Sequence, residues 1–245
     1  MENNTFIKPA IEMSEGDGVD VNRLFPVSSK MMNFDPFVLW DNFNIGAGHG
    51  FPTHPHRGFE AITYMFSGSI EHKDNLGNKS TVTSGGAQRF TAGRGIEHSE
   101  MPDSNGMSNG IQLWINLAKI KKNIEPSYQQ VDKENIPVKN IEGGSVSVIV
   151  GDDSPVKLET EVRYLDVNLD STTNFIEPVS KGFRGFIYLL TGHLVINNEK
   201  IIDRQAYFFE NIDILDIKAL SDSHFMLCMG KPHGEPIRQY GPFVD

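Results

Sequence analysis

Short apolar runs rich in β-branched and aromatic residues recur along this 245-residue chain, each bounded by Gly, Asn, Asp or Pro. The residues in the runs are favoured on half-buried sheet surfaces, and the bounding residues are those that form tight turns. No segment shows several turns of helical periodicity in its apolar residues. The pattern predicts an all-β chain of the barrel or sandwich type. The clearest runs are AITYMF (61–66), IQLWINL (111–117), SVSVIV (145–150), RGFIYLL (184–190) and HFMLCM (224–229).

A weak internal repeat divides the chain. TYMFSGSI at 63–70 aligns with IYLLTGHL at 187–194, with a tyrosine, two apolar residues, a hydroxyl residue and a glycine at matching places. A polar, charged stretch with two prolines at 118–144 lies between the copies and is predicted to be the linker. We therefore predict two domains of similar β structure, at 1–134 and 135–245.

Two histidines stand two residues apart in the stretch FPTHPHRGFE, at His54 and His56, and a carboxylate, Glu60, follows. In an extended strand such a spacing places both imidazoles on one face. Taken alone this is a modest signal, because histidines in strands are often hydrogen-bonded structural residues.

A second pair strengthens the case for a site. His98 and Glu100 repeat the two-residue spacing in AGRGIEHSEMP, directly after a Gly-Arg-Gly turn. Two strands could then present three imidazoles and one carboxylate to a single point.

Imidazole and carboxylate together favour a first-row divalent metal such as iron, manganese, nickel, copper or zinc. Four protein ligands on a six-coordinate metal leave two positions open, which a substrate oxygen and dioxygen could use. A tetrahedral zinc ion saturated by the same four side chains is the structural alternative.

The second half of the repeat carries no corresponding pair. The offset between the two copies places Pro178 and Ser180 where His54 and His56 would fall. The second domain is therefore predicted to be free of metal, and its histidines are expected to be surface or turn residues. These are His193, His224 and His233.

Composition narrows the class of protein. Hydrophobic residues make up 38% of the chain, and no apolar run approaches the ~18 residues of a membrane helix, so we expect a soluble protein with no membrane association. The single cysteine, Cys228, cannot form an internal disulfide, and the amino terminus lacks a secretory signal pattern, so a cytoplasmic location is expected. The net charge of −10, with only a short basic run at 119–122, disfavours direct nucleic-acid binding.

Four sequence blocks follow one another along the chain: GHGFPTHPHRGFEAITYMFSG (48–68), QRFTAGRGIEHSEMP (88–102), IQLWINL (111–117) and GEPIRQYGPFVD (234–245). In their order and spacing they resemble the pirin family of the cupin superfamily. The resemblance implies a bicupin, in which two antiparallel β-barrels of the jelly-roll type are stacked and only the amino-terminal barrel holds a metal. It also implies that His54, His56, His98 and Glu100 bind Fe(II), with Mn, Ni, Cu, Co or Zn as alternatives.

Many cupins carry their carboxylate ligand at the position of Glu60, whereas pirins use the glutamate after the third histidine. Residue parity cannot separate the two glutamates, because both can face inward. Glu60 is therefore either an alternative ligand or a residue that hydrogen-bonds to the ligands.

The resemblance further implies quercetin 2,3-dioxygenase activity, in which a flavonol or a related enol or phenol binds with O2 at the open metal positions. Glu100 would be both a ligand and the catalytic base that takes the flavonol proton. The alternative is a regulator whose iron senses redox state and which binds a partner protein, such as a transcription factor or a metabolic enzyme. A purely structural metal site is a third reading. We expect the chain to be a monomer.

Overall fold

The computed structural model describes residues 4–102 and 106–245. Within these residues the regular elements are β-strands, apart from two short 3-10 turns at Lys119–Lys121 and Lys133–Asn135. The all-β prediction is confirmed. Nowhere in the described part of the chain is a helix long and apolar enough to cross a membrane.

The chain forms two compact units, each assembled from segments that are distant in sequence. The first unit comprises residues 11–136, 155–160 and 233–245. The second unit comprises the described residues up to 10, together with 137–154 and 161–232. Each unit thus takes residues from both sides of position 135, and the predicted pair of contiguous domains stays a prediction.

The first unit is built on one ten-stranded antiparallel sheet. Its strands run in the order β11-β8-β5-β10-β4-β9-β6-β7, with β3 and then β2 added beside β4, and a separate pair joins β22 to β23. The strands are β2 (Ile11–Glu15), β3 (Asp17–Phe25), β4 (Phe37–His56), β5 (Phe59–Ser67), β6 (Ser69–Asp74), β7 (Lys79–Thr83), β8 (Ala87–Thr91), β9 (Ile96–Pro102), β10 (Ser108–Asn116), β11 (Ser127–Val131), β22 (Gln239–Tyr240) and β23 (Phe243–Val244).

The end strands of this sheet approach each other. Tyr128 on β11 places its hydroxyl 2.6 Å from the Ser80 hydroxyl on β7. Gln130 on β11 donates from Nε2 to the Thr81 carbonyl of β7 at 3.0 Å. These side-chain bonds across the two edges make the sheet a nearly closed barrel.

Strand β4 is long because it serves both halves of the barrel. Its first part pairs with β3 and β10, and its last residues pair with β9. Between these parts Gly48 and Gly50 adopt φ angles of +83° and +148°, which residues with a Cβ rarely adopt. A Cβ at Gly50 would also lie 2.9 Å from the Glu100 carbonyl oxygen. The bend at these glycines carries His54 and His56 alongside β9.

The second unit consists of two sheets around one apolar core. Seven strands run in the order β1-β19-β16-β21-β14-β13-β12, and four in the order β15-β20-β17-β18. Buried side chains of both sheets, including Leu165, Tyr207 and Ile217, meet in a single cluster. The strands are β1 (Asn4–Pro9), β12 (Val138–Ile141), β13 (Gly144–Val150), β14 (Val162–Leu169), β15 (Asn174–Pro178), β16 (Arg184–Thr191), β17 (His193–Ile196), β18 (Glu199–Ile202), β19 (Gln205–Glu210), β20 (Ile214–Ala219) and β21 (Ser223–Gly230).

The repeated sequence has the same local structure in both units. Gly68 between β5 and β6 has a φ of +72°, and Gly192 between β16 and β17 has a φ of +106°. In each case a serine hydroxyl from a neighbouring strand bonds the residue after the glycine: Ser108 bonds Ser69 in the first unit, and Ser223 bonds His193 in the second. The sequence repeat therefore corresponds to one turn that is used twice.

The segment 118–144, interpreted from its composition as a linker, contains sheet strands. Strand β11 pairs with β8 in the first unit, and β12 pairs with β13 in the second. Strand β11 has the sequence SYQQV, and most of its side chains are only half-buried. A polar sequence suits such an edge strand, and this polarity is why composition alone suggested a linker.

Candidate metal centre

The predicted ligands come from two paired strand ends. At the junction of β4 with β9, His54 lies directly opposite His98 in the antiparallel register. His56 and Glu100 each lie two residues along their strands and so share the same face. His56, His98 and Glu100 are buried, whereas His54 is half-buried.

The three imidazoles meet. One ring nitrogen from each of His54, His56 and His98 lies within 4.8 Å of the other two. Their ring centroids are 4.5 to 4.9 Å apart. Such a cluster is suited to a metal ion, which could bind one nitrogen from each ring.

Backbone carbonyls orient two of the rings. His54 Nδ1 lies 2.7 Å from the Pro52 carbonyl oxygen, and His56 Nδ1 lies 3.3 Å from the Pro242 carbonyl oxygen. A carbonyl oxygen only accepts, so each Nδ1 carries the proton and donates. Nε2 of each ring is then left with its lone pair, which is the form that binds a metal.

His98 presents the same nitrogen by other means. Its Nδ1 lies 3.4 Å from Nδ1 of His72. Its Nε2 is buried and has no hydrogen-bond partner among the residues that the structure describes. A buried polar atom left unpaired costs free energy, and a metal ligand is one of the roles that accounts for it.

Electrostatics keep the buried rings neutral. Burial is the main cause that lowers the pKa of His56 to about 2, and the neighbouring rings of His98 and His54 add to its effect. Burial is also the main cause that lowers the pKa of His98 well below its ordinary value, and the rings of His54 and His72 add to it. Both rings are therefore neutral at pH 7, with a nitrogen lone pair available.

Glu100 is held as a hydrogen-bond acceptor in the same region and is 3% exposed. Gln88 donates from Nε2 to Oε1 at 2.5 Å, and Gln112 donates from Nε2 to Oε2 at 3.3 Å. The Thr63 hydroxyl lies 2.9 Å from Oε1. These neutral donors fix the carboxyl group in place.

Glu100 belongs to a second cluster, which shares His98 with the first and which the sequence did not predict. One of its oxygens and one nitrogen each of His98 and His72 lie within 4.8 Å of one another. His72 on β6 lies opposite Glu100 in the register of β6 with β9. The motif EHKD at 71–74 has the same two-residue spacing as the other pairs and was the available signal for His72.

Glu60 is used elsewhere. Its carboxylate is fully buried and accepts hydrogen bonds from the Thr91 hydroxyl and from the backbone amides of Glu159 and Thr160, at 3.0 to 3.2 Å. Burial raises its pKa, and the hydrogen bonds from these groups oppose that effect. Both oxygens thus bind the segment 155–160, so the structure gives Glu60 an anchoring role.

A cavity of about 560 Å³ opens beside the histidines. His54, His56 and Glu100 are on its wall, and Trp114 and Phe51 supply aromatic surface. A further part of the wall carries Arg23, whose guanidinium bonds both oxygens of Asp41 at 2.6 and 2.7 Å and one oxygen of Glu15 at 2.5 Å. This cation is therefore neutralised within the wall.

The histidines predicted to be unrelated to the site lie apart from the clusters. His193 is exposed. His224 is half-buried and places Nε2 2.6 Å from Asp166. His233 places Nε2 2.9 Å from the Asn116 carbonyl oxygen.

The residues present fit a divalent metal. His54, His56 and His98 could bind it through Nε2, with Glu100 as the oxygen ligand, and this donor set suits first-row metals. The assignment of these four ligands stays a prediction.

Comparison with known proteins places the chain among its relatives. The family model described as Pirin matches residues 18–115, and the model described as Pirin C-terminal cupin domain matches residues 164–245. Human pirin is 39% identical over 244 residues, which covers 95% of this chain and 84% of the human protein.

Solved structures agree with this placement. A structure named quercetin 2,3-dioxygenase from Acinetobacter baumannii superposes with a TM-score of 0.90 at 27% identity, covering 98% of this chain and 90% of that one. A bacterial pirin from Escherichia coli in complex with nickel(II) superposes with a TM-score of 0.78 at 25% identity, covering 94% of this chain and 99% of that one. The sequence blocks, the two β units and these matches together establish that the chain belongs to the pirin family.

Proposed function

We propose that this protein is a metal-dependent dioxygenase that acts on a flavonol such as quercetin, or on a related enol or phenol, with Fe(II) as its metal. The observation that carries the proposal is the meeting of three histidines beside a cavity of about 560 Å³, with Glu100 on the same wall. A cavity of this size accepts a compact aromatic ligand.

The comparisons support this chemistry. The Acinetobacter baumannii structure carries the name of the proposed activity, and the Escherichia coli pirin binds nickel(II). Iron is our choice among metals of this class, and Mn, Ni, Cu, Co or Zn are the alternatives that elemental analysis would distinguish.

When bound, the metal would supply a Lewis acid and open coordination positions for a substrate oxygen and O2. The protein's own groups would do the rest. Glu100 would take the proton of the flavonol hydroxyl, while Gln88 and Gln112 hold its carboxylate in place through their amide groups. Trp114 and Phe51 would contact the aromatic rings of the substrate.

The cavity also bears on the charge of the substrate. Arg23 is fully engaged by Asp41 and Glu15, so it offers no free positive charge for an anionic substituent. A neutral polyphenol, which loses its proton only at the metal, suits this wall better than a carboxylate or a phosphate ester.

Oxygen uptake with a flavonol tests the proposal. We expect uptake by iron-loaded wild-type protein and by His193→Ala, because His193 is an exposed residue of the second unit. We expect no uptake by Glu100→Ala. Elemental analysis should show that His54→Ala and His98→Ala lose most of the metal and that His193→Ala keeps it.

Two results would contradict the proposal. Equal metal loss in all three histidine variants would argue against a site in the first unit. Absence of uptake with every flavonol, combined with partner binding that depends on the iron oxidation state, would favour the redox-sensing regulator.

A further inference from the structure

His72 is a buried histidine that the proposed chemistry does not use. It is fully buried, and its ring stacks on Tyr128 with centroids 4.1 Å apart. Its Nδ1 lies 3.4 Å from His98 Nδ1, and its Nε2 lies 3.0 Å from Asp74 Oδ2. Both ring nitrogens are thus engaged, one by a predicted metal ligand and the other by a carboxylate.

Asp74 is a fixed acceptor at the far end of this chain of contacts. Its Oδ1 accepts from the backbone amides of Leu76 and Asn78, and its Oδ2 also accepts from Asn78 Nδ2. Both of its oxygens therefore act as acceptors, which is the hydrogen-bonding pattern of an ionised carboxylate. The turn after β6 therefore holds an anionic carboxylate against His72.

The ionised carboxylate of Asp74 decides which nitrogens of His72 and His98 carry protons. An ionised carboxylate only accepts, so His72 Nε2 carries a proton and donates to Asp74. A neutral His72 then has a lone pair on Nδ1, which accepts from the Nδ1 proton of His98. His98 is left with its lone pair on Nε2, the buried nitrogen without a partner among the described residues.

The opposite order fits less well. If His72 donated from Nδ1, His98 would have to carry its proton on Nε2. That proton would be buried with no acceptor among the described residues. An unpaired buried donor is costly and could not bind a metal, whereas an unpaired lone pair is what a metal ligand provides.

We propose that Asp74 and His72 form a positioning pair that fixes the tautomer and rotation of His98, so that its Nε2 faces the metal. The inference rests on the proposed metal site and assigns a role to two residues outside the ligand set. His54 and His56 obtain the same orientation from backbone carbonyls, which substitutions do not remove. His98 alone among the three depends on side chains, and it is therefore the ligand most sensitive to a remote substitution.

Three variants test the pair through metal affinity, measured by competition with a chelator of known affinity, using Fe(II) under anaerobic conditions and then Ni(II). His72→Phe keeps a ring over Tyr128 and removes both nitrogens. His72→Asn places an amide oxygen near the position of Nδ1, where it can accept from His98. His224→Phe is the matched control, because His224 forms the histidine–aspartate pair with Asp166 in the second unit.

We expect His72→Phe to weaken metal binding about 10- to 100-fold, which is the usual effect of removing a group that orients a ligand. We expect His72→Asn to recover most of this loss and His224→Phe to bind as wild type. Wild-type affinity in His72→Phe would overturn the proposal. So would a metal-bound histidine count, from X-ray absorption, that falls on replacing His72, because His72 would then be a ligand itself.

A measurement on unaltered protein keeps the inference testable if His72→Phe does not fold. The ¹⁵N chemical shifts of His98 in metal-free wild-type protein report its tautomer directly. We expect a protonated Nδ1 and an unprotonated Nε2, and the reverse tautomer would overturn the positioning role. If the wild-type protein bound no divalent metal, the proposed function would fail, whereas the tautomer would still decide the role of the pair.

Discussion

Replacing Glu60 by Gln should destabilise the first unit and leave its metal affinity intact. Replacing Glu100 by Gln should weaken metal binding and leave the stability of the unit intact. Both side chains are buried glutamates of the same barrel. Glu60 binds the backbone of residues 159–160, and Glu100 lies beside the histidines. The two variants therefore separate an anchoring carboxylate from a proposed ligand.

The size of the Glu60 effect follows from its partners. Glu60→Gln keeps one acceptor oxygen and turns a nitrogen toward the amides of Glu159 and Thr160, which both donate. One buried amide is left unpaired, at a cost of about 1–3 kcal/mol, and the remaining bonds lose their charged acceptor. Relief from burying the charge offsets part of this cost. We expect the free energy of unfolding to fall by about 2–4 kcal/mol.

Thermal and urea unfolding should be followed in the presence of EDTA, because a bound metal would stabilise the native state and hide the difference. At about 2–4 °C per kcal/mol for a protein of this size, the midpoint should fall by about 5–15 °C. Glu100→Gln should unfold near wild type under these conditions, because its donors include the side-chain amides of Gln88 and Gln112, which can turn an oxygen toward the new nitrogen. Competition with a chelator then measures the metal affinity of each folded variant.

One pattern of results would refute the reasoning. If Glu60→Gln lost metal as strongly as Glu100→Gln and unfolded like wild type, Glu60 would be the ligand and its contacts to the 155–160 segment would be incidental. A loss of both properties in both variants would show that the two glutamates act as one unit.

Three further predictions concern the backbone, the pH response and the thiol. Gly58→Ala should destabilise the protein more than Gly77→Ala, because only at Gly58 would the new Cβ lie 1.9 Å from the Val244 carbonyl oxygen. Both positions have a positive φ, which costs an L-residue about 1–2 kcal/mol in either variant. Equal midpoints in thermal unfolding would contradict this prediction. Metal-free protein should lose stability as the pH falls below 6.5, because His56 then binds a proton in the unfolded state, whereas in the folded state burial lowers its pKa to about 2. The loss is about 1.4 kcal/mol per pH unit, and urea titrations of wild type and His56→Phe should differ in that slope. Cys228 is fully buried with a raised pKa, so it should resist iodoacetamide until the protein unfolds, and rapid labelling of native protein would count against its placement.

The sequence predicted those features that depend on short-range regularity. Alternation along a strand put His54 with His56 and His98 with Glu100 on shared faces, and turn residues separated the strands. His72 was missed because one histidine–aspartate spacing means little until β6 pairs with β9 and sets it opposite Glu100.

Contacts between residues far apart in the chain could not be predicted from the sequence for the same reason. Glu60 and Glu100 can both face inward by parity, and only the contact of Glu60 with residues about a hundred positions later separates their roles. Strand β11 was missed because its polar residues bond across the barrel edge to Ser80 and Thr81, a match that composition does not reveal.

The assembly of the first unit from separated segments constrains how the protein can be made. His56 takes its orientation from the Pro242 carbonyl, Lys122 donates to the Val244 carbonyl, and Val244 bonds back to Arg57. On a translating ribosome these contacts wait until residues 242–244 have left the exit tunnel, long after β4 and β9 have emerged. A nascent chain halted before that point would hold an incomplete histidine cluster, so metal capture should follow the emergence of residues 242–244.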